Sequence, residues 1–394
     1  MQINNKSSYE NESKLSYKKP LGIYIHIPFC ASKCRYCDFY SCSYENSLVE
    51  KYFEALFIEL ENMLSSVQNK LIRSVYFGGG TPSLIRSEYI FKILKKIKKN
   101  FSYPPNMEIT LEANPDSLSQ KRLVNYRQVG INRLSLGVQS FNDSILKFLG
   151  RNSSSKDNIK KINLVKNYFD NYSLDIIFAV PGQTVDDFVC DLNKVLSFSP
   201  PHLSLYNLQI EKGTEIYDDL VDGKIEEFDQ ELDAAMYKKA LFLLKDCGYK
   251  HYEISNFAKD GYRAIHNYLY WDFTPYLALG PAASGFDGKS RYTNFADLKG
   301  YIDMIFKSGL PERKYTVLSQ KDLAAEYSFL NLRKKSGLSR FLFKKQFDIY
   351  FDDLYKEEIK KLKKLELIYE QNGRIFLSER GKLLGNEVFV HFLP

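Results

Sequence analysis

Residues Ile25–Ser41 read IHIPFCASKCRYCDFYS, a short apolar run that empties into three cysteines, Cys30, Cys34 and Cys37, within eight residues. The run is the first of a series. From Gly22 to about Gln209, strand-like apolar stretches alternate with amphipathic segments such as SLVEKYFEALFIELENMLSSV and SEYIFKILKKIKKNF, whose apolar residues recur at helical spacing. The strand candidates are Ile23–Ile27, Ser74–Phe77, Glu108–Leu111, Arg133–Gln139, Leu174–Val180 and Leu203–Leu208. Six β-then-α units in succession imply parallel strands joined by right-handed crossovers. An open doubly wound sheet and a complete or partial βα-barrel both satisfy that pattern. The residues that carry chemistry gather just after the strands: the cysteine loop after the first, GGGTPS after the second, EANP after the third, PGQT after the fifth. In a βα-barrel all of them would meet on the carboxyl-end face, where active sites form.

At 394 residues the chain has room for more than one domain. The opening MQINNKSSYENESKLSYKKP is polar and lacks the apolar middle of a secretory signal. It predicts a disordered tail over 1–20 and a protein of the reducing cytoplasm, where cysteines need not pair. No uncharged apolar run reaches the ~18 residues of a membrane span, which leaves only peripheral membrane contact open. Cys190 and Cys247 fall in helix-like segments and read as small buried hydrophobes. A loop-rich extension at about 210–300 follows the βα series and completes a first domain over 21–300. A helical domain over 301–394 closes with LELIYEQNGRIFLS, two strand-like runs joined at Asn372-Gly373, a type I′ hairpin signal. Helices followed by a hairpin suggest a winged-helix-like module. Its Lys334, Lys335, Arg340, Lys344 and Lys345 offer contacts to phosphates, but they alternate with acidic residues and the net charge of +7 is mild, so no nucleic acid is assigned.

Three readings of the clustered thiols stay open on chemistry alone. A closed zinc site wants four ligands, and His26 or Cys42 would have to complete it. A redox dithiol needs only two cysteines. A [4Fe–4S] cluster normally takes four thiolates, so three leave one iron open to a substrate or cofactor.

C-x3-C-x2-C with an aromatic, Tyr36, before the last cysteine resembles the radical S-adenosylmethionine (SAM) superfamily. The resemblance implies a partial (β/α)6 barrel and a [4Fe–4S] cluster on Cys30, Cys34 and Cys37. It implies SAM on the open iron, cleaved by an electron from the cluster. It also implies that Tyr24, Tyr36, Gly79, Gly80, Thr81, Glu112, Gln139, Arg151 and Asp175 surround SAM. Taken singly, GGGT is equally a tight turn and the polar residues are equally caps or surface groups.

The motifs YIHIPFC, CDFYS, YFGGGTPS, EANPDS, LSLGVQSF, DIIFAVPGQT, HLSLYNLQIEKGT and YEISNFA resemble, more narrowly, the coproporphyrinogen III oxidase-like branch. That branch holds two functions of different class. One is an oxygen-independent dehydrogenase that decarboxylates the propionates of coproporphyrinogen III. The other is a heme chaperone of the HemW type. The dehydrogenase carries a further cysteine two positions past the third, where this chain has Phe39. His266-Asn267-Tyr268-Leu269-Tyr270-Trp271 is similar to the H-N-x-x-Y-W motif associated with heme, which implies His266, Asn267, Tyr270 and Trp271 at a heme site. Read without the resemblance, the same segment is a buried histidine among aromatic neighbours. Similar chains have histidines where this one has Asn152 and Ala283, and a glycine where it has Ala179, which reads as a minor packing change. The expectation is a cytoplasmic heme chaperone with no assigned catalytic residue. Its partners would be heme, heme-acceptor proteins and a flavodoxin- or ferredoxin-like electron donor.

Overall fold

The computed structural model describes residues 19–67, 70–226 and 228–394. The expected tail lies outside the described residues up to 18, while Lys19 and Pro20 already belong to a strand. All six expected strands form: β1 (Lys19–Ile27), β2 (Lys70–Gly79), β3 (Glu108–Ala113), β4 (Arg133–Gln139), β5 (Tyr172–Phe178) and β6 (His202–Asn207). Each pairs in parallel with the next. The crossovers carry α1 (Asn46–Ser66), α2 (Ser87–Asn100), α3 (Gln120–Val129), α4 (Asp143–Phe148), α5 (Ser155–Lys166) and α6 (Val185–Ser197). In α2 the buried Tyr89, Ile90, Ile93, Leu94 and Ile97 form one stripe, the spacing that seats a helix on a sheet. Capping boxes at Ser154/Asp157 and Thr184/Asp187 start α5 and α6.

The strands alternate through the barrel's middle. Ile23, Ile25 and Ile27, Val75 and Phe77, Ile109 and Leu111, Leu134 and Leu136, Leu174 and Ile176, Leu203 and Leu205 are buried in the main core. Their neighbours on the opposite face of each strand are Tyr24 and His26, Ser74 and Tyr76, Glu108 and Glu112, Arg133 and Ser135, Ser173 and Asp175, His202 and Ser204. The apolar face packs on the helices and the polar face lines the barrel.

The stretch at 210–300 is richer in structure than its loop-like sequence suggests. It holds α7 (Glu215–Val221), α8 (Gln230–Asp246), β7 (Lys250–Glu253), β8 (Asn256–Ala258), α9 (Ile265–Trp271), β9 (Tyr276–Leu279), β10 (Ser284–Phe286), β11 (Ser290–Asn294) and the start of α10 (Leu298–Ser308). β9 pairs in parallel with the free side of β1, a seventh parallel strand. With β12 at Arg313–Val317, the sheet order is β12-β11-β10-β9-β1-β2-β3-β4-β5-β6-β8-β7, with antiparallel strands at both flanks. The sheet runs on past residue 300, because β12 is its edge strand.

The C-terminal region packs α11 (Gln320–Arg333), α12 (Arg340–Phe347) and α13 (Phe351–Lys364) against a small sheet of β13 (Leu338–Ser339), β14 (Ile368–Gln371) and β15 (Arg374–Leu377), followed by α14 (Glu379–Leu383) and α15 (Gly385–Val390). Asn372 and Gly373 both take positive φ, 50° and 70°, as a type I′ turn requires. Phe273 and Phe286 of the barrel's edge share a core with Tyr327, Phe343 and Phe351. Two expectations need correcting. Cys190 and Cys247 are exposed, not buried, since they fall on the solvent side of α6 and at the end of α8. Ala179 sits at φ 57°, so its departure from glycine is a matter of backbone strain rather than packing.

Candidate metal centre

The cysteine loop leaves β1 at Ile27 and is stitched to its surroundings by backbone. Gly80 N donates to Ile27 O at 2.8 Å, Thr81 N to Phe29 O at 2.8 Å and Cys42 N to Pro28 O at 2.7 Å. A Cβ on Gly80 would lie 2.8 Å from Phe29 O and 3.0 Å from Cys30 Sγ, so only glycine lets β2 approach the thiol this closely. Arg35, inside the motif, clamps the loop from the far side. Its guanidinium bonds Asp219, Glu215 Oε2 (3.3 Å) and Phe148 O (3.1 Å), and its own backbone pairs with Leu149 and Ile216. α4 and α7 thereby fix the loop's shape.

The three thiols are partly exposed and free, and two have donors aimed at them. Thr81 Oγ1 lies 3.6 Å from Cys30 Sγ and Arg151 Nη1 3.4 Å from Cys34 Sγ. Burial pushes the Cys37 thiol up to about 11, a preference that a bound cation would invert. Among the described residues no three His, Cys, Asp or Glu side chains converge as ligands of a single ion would. Free thiols, donors to sulfur and the glycine cradle all fit an iron–sulfur cluster.

The expected SAM residues form two layers. In the upper one, Gly79 N donates to Glu112 Oε2 (3.1 Å) and Tyr76 OH to Glu112 Oε1 (2.7 Å). Asn114, unforeseen in the sequence, links Thr81 Oγ1 (3.2 Å) to Arg151 Nη2 (3.0 Å), and Arg151 also donates to Gly137 O at 2.7 Å. Gln139 takes φ 65° at the end of β4, a strained backbone of the kind found at functional sites. Tyr36 packs on the apolar group of Ile145, Leu149 and Val180 at the barrel mouth. Tyr24 and Asp175 lie deeper, in mid-strand: Tyr24 pairs with Tyr76, and Asp175 with Gly137 and Ser204. Asp175 accepts from Ser135 and Ser173, both at 2.9 Å. Burial, followed by the nearby Asp175 charge, raises Glu112 to about 7.

The residues expected at heme do not converge. α9 closes the opposite, amino-terminal end of the barrel. The carboxylate of Glu108 caps it by accepting from Ile265 N (2.8 Å) and His266 N (2.9 Å). His266 is buried, and both ring nitrogens are engaged, Nδ1 with Ser74 Oγ at 2.8 Å and Nε2 with Tyr270 OH at 2.7 Å. Its ring stacks on Tyr76, 4.9 Å between centroids. Burial and the Arg133 charge lower its pKa to about 3. His266, Leu269 and Tyr270 face the barrel, while Trp271 turns to the C-terminal core under the Arg333 guanidinium, 4.5 Å from its ring. Asn152 bonds Ser32 Oγ at 2.8 Å beside the cysteine loop, and Ala283 is buried in the main core. Phe39 is 61% exposed on that loop.

Comparison with known proteins gives a consistent picture. Residues 24–194 match the family model of the radical SAM superfamily, and 318–384 that of the HemN C-terminal domain. The chain is 36% identical to the heme chaperone HemW of Bacillus subtilis, over 94% of this chain and 98% of that one. It is 35% identical to the heme chaperone HemW of Lactococcus lactis, over 95% and 98%. The mitochondrial radical S-adenosyl methionine domain-containing protein 1 of Bos taurus is 31% identical over 91% and 83%. Among solved structures, the coproporphyrinogen III oxidase HemN of Escherichia coli superposes with a TM-score of 0.82 at 22% identity, covering 99% of this chain and 93% of that one, a likeness of fold.

Proposed function

The chain belongs to the HemW family of heme chaperones within the radical SAM superfamily, and from that premise we infer that it binds heme and delivers it to acceptor proteins. The observation that carries this reading is the end-to-end similarity, which spans barrel, α9 and C-terminal domain alike. Superfamily membership brings a [4Fe–4S] cluster and SAM. We assign Cys30, Cys34 and Cys37 as the cluster's protein ligands. When bound, such a cluster offers an open iron for SAM and an electron for its cleavage. Around it the chain's own groups supply opposite charges, Arg151 for a carboxylate and Glu112 for a cationic group, with Gly79 and Gly80 leaving bare backbone between them. Asp175, Gln139, Tyr24 and Tyr36 complete the assignment.

His266, held at both nitrogens, serves the barrel's closure, so the heme contact of its segment falls to the other side of α9, where Trp271 reaches the C-terminal domain. The exposed Phe39, in place of a further cysteine, counts against the dehydrogenase alternative. Among the described residues no helix is long and apolar enough to cross a membrane. The free thiols suit the reducing cytoplasm, where we place the protein.

One anaerobic experiment separates the two functions. Cluster-loaded protein supplied with SAM and a reductant should leave coproporphyrinogen III intact, and heme-loaded protein should give up its heme to an apo-hemoprotein on mixing. Decarboxylated product without transfer would overturn the chaperone reading.

A further inference from the structure

Where the edge strand β7 meets the C-terminal domain, a cavity of about 110 Å³ is lined by Arg333, Lys335, Lys382, His251, Tyr369 and Phe376 among others. Some basic residues of this domain are neutralised: Lys334 pairs with Asp272, Arg340 with Asp352 and Lys344 with Asp348. Lys335 and Lys382 both line the cavity and have no ion-pair partner among the described residues. They repel one another, and burial with that repulsion lowers Lys382 below the usual lysine range, only partly offset by Glu379. The third cation, Arg333, reaches Glu253 only at 3.7 Å, and its Nε is a buried donor without a partner. His251, lowered to about 4 chiefly by burial, adds no positive charge at neutral pH. A partly closed cavity thus holds surplus positive charge, which costs stability until an anion enters.

The mouth has a second character. Tyr369, 46% exposed, stacks on Phe376 with centroids 5.1 Å apart and planes 14° from parallel, a flat aromatic shelf beside the cationic hole. Arg333 spans from the cavity to the face of Trp271. The cavity is too small for a macrocycle, but it has room for a carboxylate or phosphate group with water.

We propose that this cavity is an oxyanion site that takes a propionate carboxylate of heme, with Arg333, Lys335 and Lys382 as its donors and the macrocycle resting on the Tyr369–Phe376 shelf. The proposal rests on the heme reading above for the identity of the ligand. Carboxylate and phosphate share the chemistry, so the test uses both.

Hemin, hemin dimethyl ester and inorganic phosphate are titrated into wild type and the Lys335→Ala/Lys382→Ala protein. Neither lysine supports the fold through an ion pair, and an unchanged thermal midpoint checks this. Hemin should bind the double variant on the order of tenfold or more weakly, the effect of losing charge-assisted hydrogen bonds. The ester, its carboxylates blocked, should bind both proteins alike. Equal hemin affinity in the two proteins overturns the proposal, as does an ester that weakens as much as hemin. If neither protein binds hemin, the heme reading itself fails and phosphate decides the cavity. Saturable phosphate binding lost in the double variant then keeps an oxyanion site of phosphate type, and its absence overturns the site.

Discussion

His266→Ala should cost the folded state on the order of 4 kcal/mol. The removed ring makes two buried hydrogen bonds, to Ser74 and Tyr270, and stacks on Tyr76. Each bond is worth ~1 kcal/mol, the stack ~0.5–1.5 kcal/mol, and stranding the two hydroxyls with a cavity between them adds ~1–2 kcal/mol. His266→Phe keeps the ring area and should lose only about half as much. The pH dependence provides a second reading. With its pKa lowered from 6.5 to about 3, His266 stays neutral in the fold while the unfolded chain takes up a proton below pH 6.5. Its contribution is therefore complete above that pH and is lost as pH falls, at about 1.4 kcal/mol per unit. Between about pH 6.5 and 5, wild type should lose ~2 kcal/mol more than His266→Phe. Urea unfolding of the three proteins, followed by circular dichroism across that range, gives both quantities. An alanine variant within ~0.5 kcal/mol of wild type would show that the ring is not a structural plug and would return it to the ligand candidates.

Three further outcomes follow from the cysteine loop and the strand ends. Cys34→Ala should lose the cluster's visible absorption after anaerobic reconstitution while keeping the far-ultraviolet spectrum of the barrel; full loading would refute the ligand assignment. Gly80→Ala places a methyl against Phe29 O and Cys30 Sγ, so cluster content, measured as bound iron and sulfide, should fall sharply, and normal content would refute the cradle. Ala179→Gly relieves a left-handed backbone at φ 57° and should raise stability by ~0.5–1 kcal/mol; a lower thermal midpoint would contradict it.

The strands were legible because each is an apolar run between helical patterns, and β4 matches its expected limits residue for residue. What escaped notice was the polar half of the same runs. SVYF, ITLE, RLSLGVQ and HLSLY alternate at period two, the signal of a strand whose inner face is wet, and it would have picked out Arg133, His202 and Tyr76 as barrel-lining. β9 was missed because its four residues, Tyr276–Leu279, are too short and too crowded by aromatic neighbours to show a period. In HNYLYW, the i, i+3, i+4 positions of His266, Leu269 and Tyr270 already describe one buried helix face, which the resemblance to a heme motif obscured. Arg35 and Asn114 could not be singled out, since their partners come from segments distant in sequence.

The central claim, that this protein carries heme, is tested most directly by titrating anaerobic, cluster-loaded protein with hemin and following the Soret band. The account predicts saturation near one heme per chain with the cluster's absorption retained. A rise that never saturates, indistinguishable from free hemin in buffer, would contradict it.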